Sequence, residues 1–206
     1  MGLISLLFRD PATFFVLVTV LLYSVIFHEM AHGWVASRYG DNTAKYSGRL
    51  SLNPLIHLDP IGTLTLFLVG FGWAKPVPVN YSNLTGSRKA IVSVALAGCL
   101  TNIVIATIAL ILFKFLSNSF FGPILLIVAQ INIILGSFNL IPIPPLDGSR
   151  VLMEFLPYQY KYKLAQLEPY GFFIIIVLLF TGILYPLIMF IQSIILGIIN
   201  LLFHIF

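Results

Sequence analysis

From residue 14 to residue 37 the chain is apolar enough to cross a bilayer, yet the second half of that run carries His28-Glu29-Met30-Ala31-His32. Hydrocarbon offers no water to a backbone amide, so such a segment must fold as a helix that closes its own hydrogen bonds. On that helix His28 and His32 lie one turn apart on one face, and both imidazoles reach a common point. A glutamate between them can act on a water held at a metal. Ionisable side chains at the centre of a membrane helix cost about 2.5–3.5 kcal/mol each on insertion scales, so the set marks a functional site. The competing reading of an HExxH pattern here is a hydrogen-bonded structural cluster.

The rest of the chain belongs to the same class. Of its 206 residues 59% are hydrophobic and 9% charged, whereas a soluble domain carries about 25% charged residues. The net charge of +4 does not indicate nucleic-acid binding, because the basic residues follow the membrane segments instead of forming one patch. Cys99 is the single cysteine, so no intrachain disulfide forms. Leu3 to Phe8 is a short apolar patch with no basic leader, and no small-residue cleavage site follows, so no cleaved signal is expected. The expected fold is an all-α polytopic membrane protein with about five to six membrane helices. One integral-membrane domain is expected over residues 1–206, with a catalytic core of about 14–156 and C-terminal membrane segments over 170–206.

Along the chain, residues 38–60 form a polar connection with turn residues at Gly40-Asp41-Asn42 and Asn53-Pro54. Residues 61–74 are apolar but too short to span, which suits a re-entrant segment. A re-entrant hairpin or strand is therefore expected around 61–80. Residues 91–115 and 123–141 read as the second and third spans. Pro142-Ile143-Pro144-Pro145 breaks helix, and a short helix is expected over 149–155. Residues 158–168 are polar and aromatic, as at a membrane interface. Residues 172–206 are too long for one upright span, and Tyr185-Pro186 is the expected dividing point.

Basic residues near span ends favour the cytoplasmic face. If the first span runs inward and 61–74 re-enters without crossing, Arg38, Lys45, Arg49, Lys75, Arg88, Lys89, Arg150, Lys161 and Lys163 all lie on that face. Only Arg9 and Lys114 lie outside. This orientation puts His28 about 13 Å into the helix from its inner end. It implies an integral membrane protein with its site near the cytoplasmic side.

A catalytic zinc site takes three protein ligands and a water. His28 and His32 supply two, and Glu29 is reserved as the base. The third must come from elsewhere: Asp41, Asp59 and His57 lie in the polar connection, Glu154 and Glu168 follow the third span, and Asp147 stands out among these candidates because it lies between a proline break and a new helix start, where it could also cap that helix. His57, between Asn53-Pro54 and Asp59-Pro60, reads better as a turn-stabilising histidine than as a ligand. His204 reads as interfacial and Cys99 as a small packed residue. Gln130 and Asn132 read as interhelical hydrogen-bonding groups. Asn139 can donate to a substrate carbonyl or its oxyanion. Asn102 shares that substrate or oxyanion reading, although an amide in a membrane helix more commonly bonds a neighbouring helix.

Three blocks resemble the site-2 protease family of intramembrane zinc metalloproteases, peptidase family M50. Phe27-His28-Glu29-Met30-Ala31-His32-Gly33 resembles its zinc-binding helix. Asn139-Leu140-Ile141-Pro142-Ile143-Pro144-Pro145-Leu146-Asp147-Gly148 resembles its second signature. Gly72-Trp73-Ala74-Lys75-Pro76-Val77-Pro78-Val79-Asn80 resembles a segment of its compact bacterial and archaeal members. Ala97-Gly98-Cys99-Leu100-Thr101-Asn102 resembles a further motif, with Cys99 where the family usually has proline.

The resemblance implies a compact zinc endopeptidase without an inserted PDZ or CBS domain. Its metal ligands would be His28, His32 and Asp147, its base Glu29, and its substrate contact Asn139. It implies Zn²⁺ as cofactor, a transmembrane protein as substrate, and a membrane-embedded hairpin or strand edge over 61–80 beside the site. A catalytically silent zinc-binding adaptor and, further off, a metal transporter are the rival functional classes.

Overall fold

A computed structural model describes residues 3–70, 72–85 and 88–205. Among these residues the backbone forms ten α-helices: α1 (Leu3–Arg9), α2 (Pro11–Arg38), α3 (Thr43–Tyr46), α4 (Pro60–Val69), α5 (Arg88–Leu116), α6 (Gly122–Asn139), α7 (Asp147–Met153), α8 (Tyr158–Gln166), α9 (Gly171–Phe180) and α10 (Leu184–Phe203). Among the described residues five stretches are long and apolar enough to cross a membrane: α2, α5, α6, residues 158–180 and α10. The chain is an all-α integral membrane protein.

Helices α2, α5 and α6 pack on one another to form the central bundle. Lipid gives no hydrophobic drive for helices to associate, so close approach of small residues takes its place. Buried Ala97, Gly98, Ala106 and Ala109 line α5, and a Cβ on Gly136 of α6 would sit 3.4 Å from the Cys99 carbonyl oxygen. Helix α10 closes this bundle, with Ile195 and Ile199 against Ala106, Leu110, Ala129 and Ile133.

The connection from α2 to α5 returns to the side it left. Just before α5, the Thr85 amide donates to the carbonyl of Tyr39 at the end of α2, 2.7 Å away. Helix α4 is capped by Asp59, which accepts the Gly62 amide at 2.8 Å, and is stopped by Gly70 at φ +83°. Its 10 residues rise about 15 Å, half the hydrocarbon thickness. Residues 72–80 then come back extended. Leu58 and Ala74 form an antiparallel bridge, and Gly62 packs so closely on the Trp73 carbonyl that a Cβ there would collide. The expected re-entrant hairpin is thus a helix and an extended arm. Lys75, Val77 and Asn80 direct their amides inward, to His57 O, Glu29 Oε2 and Asp41 Oδ2, and Pro76 and Pro78 have none to offer.

Asp41 fixes the far end of that arm. Its carboxylate accepts the Asn80 amide (2.7 Å), Asn83 Nδ2 (3.0 Å) and the Thr43 hydroxyl (2.5 Å). Burial opposes its ionisation, but these donors prevail and hold its pKa below the ordinary aspartate value. A lowered folded pKa contributes stability that is complete above the unfolded value, near 4, and lost as pH falls through the folded one. Asp41→Asn should therefore reproduce at neutral pH the loosening that acid causes in the native protein. Amide exchange over 80–85 is expected to lose about tenfold of its protection; unchanged protection would show that Asp41 does not hold the arm.

The short helix after the proline break starts at Asp147, two residues earlier than expected, and the C-terminal division also lies elsewhere. The C-terminal apolar run divides at residues 181–183, where Gly182 takes φ +75°. Pro186 lies in the first turn of α10, where amides have no intrahelical partner to lose. Residues 158–166 form α8, which runs through a 3₁₀ turn, Glu168–Tyr170, into α9.

Candidate active site

Helix α2 brings His28 and His32 together, with Nε2 atoms 3.1 Å apart. The break at residues 140–146 turns the chain back from α6 so that α7 opens on Asp147. There Leu146 is the N-cap and makes no side-chain cap bond. The Asp147 carboxylate is consequently not spent on capping. Its Oδ2 lies 3.1 Å from His28 Nε2 and 3.2 Å from His32 Nε2. Three ligand atoms about 2.0–2.1 Å from one ion at tetrahedral angles stand about 3.3–3.4 Å apart, so the donor set fits zinc. Among the described residues this is the cluster of histidine and carboxylate groups able to hold a metal.

The far side of each imidazole is fixed by α5. His28 Nδ1 donates to Asn102 Oδ1 (2.6 Å), and His32 Nδ1 donates to the Val94 carbonyl (2.7 Å). With both Nδ1 atoms protonated, both Nε2 lone pairs face the ligand position. The Asn102 amide is wholly committed: its Nδ2 donates to Asn132 Oδ1 (2.8 Å) and to the Ser24 carbonyl (3.3 Å). Asn132 Nδ2 donates in turn to Ser24 Oγ and the Val128 carbonyl, both at 2.8 Å. The expected substrate or oxyanion contact from Asn102 is therefore corrected. The residue is fully buried and stands behind His28 as a positioning group. Asn102→Ala should weaken zinc about 10–100-fold, measured by competition with a chromophoric chelator; native affinity in that variant would rule the role out.

Gly98 makes room for the pair. A Cβ at this position would lie 2.5 Å from His28 Cε1, His28 Nε2 and His32 Nε2. Gly148 serves α7 in the same way, since a Cβ there would strike the backbone of Leu140 and Ile141 at the end of α6.

A cavity of about 270 Å³ opens onto the triad and is lined by His28, Glu29, His32, Asn139 and Asp147 together with Val77, Tyr81, Pro145 and Arg150. Glu29 is half-buried, and its Oε2 accepts the Val77 amide at 2.7 Å. Asn139 Nδ2 donates to the Leu135 carbonyl at 3.0 Å. Neither Tyr81 nor Arg150 is a site candidate in the sequence, although Arg150 is one helical turn beyond Asp147 and so shares its face. Its guanidinium lies 4.9 Å from the Tyr81 ring centroid and 2.6 Å from Glu168 Oε1. Burial raises the pKa of the Tyr81 phenol. His57 stays in its turn, bonded through Nε2 to the Ser51 carbonyl at 2.8 Å. His204 ends α10, where its carbonyl accepts Lys114 Nζ at 2.6 Å. Asn132 is interhelical as expected, whereas Gln130 lies on the exposed face of α6.

A model of the family described as Peptidase family M50 matches residues 114–182. The chain is 40% identical over 179 residues to YwhC of Bacillus subtilis, named as a zinc metalloprotease, with 80% of each chain covered. It is 30% identical over 162 residues to a zinc metalloprotease of Methanocaldococcus jannaschii, covering 78% of this chain and 40% of that one. The solved site-2 protease of the same archaeon matches with a TM-score of 0.55 and 25% identity, covering 93% of this chain and 78% of the other.

Proposed function

The chain belongs to peptidase family M50 and is a zinc metalloprotease of the site-2 type, and from that premise we propose that it hydrolyses peptide bonds in or beside transmembrane segments of other membrane proteins. One observation carries this reading: the Asp147 carboxylate comes within 3.2 Å of two imidazoles borne by a helix long and apolar enough to span the bilayer. The intramembrane activity, the ligand roles and the sidedness below are part of the proposal.

His28, His32 and Asp147 hold the zinc. When bound, zinc polarises a carbonyl and lowers the pKa of water. Glu29 takes a proton from the attacking water and returns it to the leaving amine. The Val77 amide fixes Oε2 of Glu29, leaving Oε1 for this transfer. Asn139 lines the cavity with one amide hydrogen on Leu135 O and offers its second to the developing oxyanion. An intact substrate helix shields its carbonyls in its own hydrogen bonds, so it must unwind locally before attack. The extended arm over 72–80 is suited to receive the freed backbone by strand addition, but only through carbonyls and few amides, because of Pro76 and Pro78.

Arg38 at the end of α2 and Arg88 at the start of α5 lie on one side, since Thr85 bonds to Tyr39. With the other basic residues of the inner loops they set the catalytic cavity toward the cytoplasm of a prokaryotic plasma membrane. The catalytic unit is residues 14–156.

Protein reconstituted in vesicles with a membrane-embedded substrate should cut it. Stripping the metal with a chelator should abolish cleavage, and one equivalent of zinc should restore it. Hydrolysis confined to water-soluble polypeptides would overturn the intramembrane reading.

A further inference from the structure

A substrate backbone laid along the arm finds few donors there. Successive amides of an extended chain point to opposite sides. The Lys75 and Val77 amides point inward, to His57 O at 2.8 Å and Glu29 Oε2 at 2.7 Å. The positions whose amides would point outward, 76 and 78, are prolines. The Asn80 amide is turned inward as well, onto Asp41 Oδ2. The carbonyls of an unwound segment have all lost their helical partners, so the donors left to them are those on the rest of the cavity wall.

Apart from the two imidazoles, that wall carries three donor side chains: Asn139, Tyr81 and Arg150. Arg150 has the most to give. Its guanidinium bears five N–H groups, and Glu168 takes one of them, from Nη2 to Oε1 at 2.6 Å. The Tyr81 ring lies against the face of the guanidinium, with Cζ 4.9 Å from the ring centroid. A stack on that face uses none of the N–H groups, which lie in the plane. Behind Arg150 and Tyr81 is a smaller cavity of about 170 Å³, where the other carboxylate, Glu154, is already bonded to Lys161 at 2.5 Å. The protein uses a guanidinium on carbonyls elsewhere: Arg49 Nη2 donates to the carbonyls of Lys75 and Pro76, at 2.7 and 3.2 Å.

Resting on the reading above, we propose that Arg150 is a substrate-binding residue: its guanidinium, stacked on Tyr81 and anchored by Glu168, donates to a backbone carbonyl of the extended substrate beside the scissile bond. The ligand is a neutral carbonyl and not an acidic side chain. With Zn²⁺ balancing Asp147 and Glu29, and Glu168 balancing Arg150, a further carboxylate would enter the cavity with no cation to pair it. Recognition of this kind reads an unwound backbone and tolerates many sequences.

The test pairs a change in the protein with a change in the substrate. Arg150→Met removes the donors, and Arg150→Lys keeps a cation for Glu168 but not the planar fork. Each substrate carries one thioamide, a poorer acceptor of nearly the same shape, at successive positions on either side of the scissile bond. The series is made twice, as a transmembrane segment in vesicles and as a short water-soluble peptide with the same residues around the bond. The full-length, zinc-loaded protein is used, and kcat/KM is measured. Arg150→Met should cost about 10–100-fold on the all-amide substrate with zinc affinity within twofold of native, and Arg150→Lys should fall between. At one position the thioamide should cost the native protein about tenfold and the Arg150→Met protein less than twofold. Equal thioamide penalties in the two proteins at every position overturn the contact. So does a loss on Arg150→Met that tracks loss of zinc, which would make Arg150 a support of α7, or one that vanishes on substrates without an acidic residue. If the native protein cuts the peptides but no membrane segment, the intramembrane reading fails, while the peptide series still decides the role of Arg150.

Discussion

Glu29→Gln is expected to lower turnover by about 10²–10⁴-fold while the protein keeps one zinc per chain. The substitution preserves shape and one acceptor oxygen, so the contact from the Val77 amide can persist. It removes the carboxylate that accepts a proton. None of the three ligand atoms belongs to Glu29, so metal content should not move. Turnover of a membrane-embedded substrate and zinc by elemental analysis on the same preparation make the check. Native turnover in a zinc-replete variant would exclude Glu29 as the base. Loss of zinc along with activity would instead make Glu29 part of the binding shell.

The contrast between Glu29 and its neighbours shows what the sequence makes legible. Helical spacing alone places His28 and His32 on one face, and the cost of burying them in lipid marks them as functional. The proline break before Asp147 tells that the chain turns there. It does not tell where the carboxylate points, because a cap and a ligand have the same local pattern; only the packing of α7 on α6 through Gly148 decides it. The Asn102 amide, which local sequence leaves open between a neighbouring helix and the substrate, shows the same limit. Whether an amide on α5 faces the cavity or the back of His28 depends on the rotation of α5 against α2, which is set by contacts far apart in sequence.

The spans over α2, α5 and α6 could be read from apolar length, and the half-membrane depth of α4 from its shortness. The break near residue 182 was less readable. Pro186 is the stronger punctuation, but a proline in a first helical turn interrupts nothing, whereas Gly182 at positive φ does. Tyr81 and Arg150 enter the cavity because the arm and α7 converge there in three dimensions.

Gly98→Ala should show the opposite signature to Glu29→Gln: the metal lost and the fold kept. The added methyl would meet atoms of both imidazoles at 2.5 Å, well inside van der Waals contact. Neither ring can swing aside cheaply, because Asn102 holds one Nδ1 at 2.6 Å and the Val94 carbonyl holds the other at 2.7 Å. Relief of close to 1 Å must come from the ligand atoms or from separation of α5 and α2. Metal–ligand distances tolerate only about 0.2 Å, so zinc affinity should fall by at least about a hundredfold, more than on loss of an outer hydrogen bond. Alanine favours a helix over glycine by about 1 kcal/mol, so helix content should hold, and excess zinc should recover part of the activity. Gly197→Ala on α10, where a Cβ meets nothing within 4 Å, is the matched control and should leave zinc binding and turnover unaltered. Zinc affinity by chelator competition, read beside circular dichroism of both variants, decides the matter: native affinity in Gly98→Ala would mean that the two imidazoles are free to move, and that α5 does not set the geometry of the metal centre.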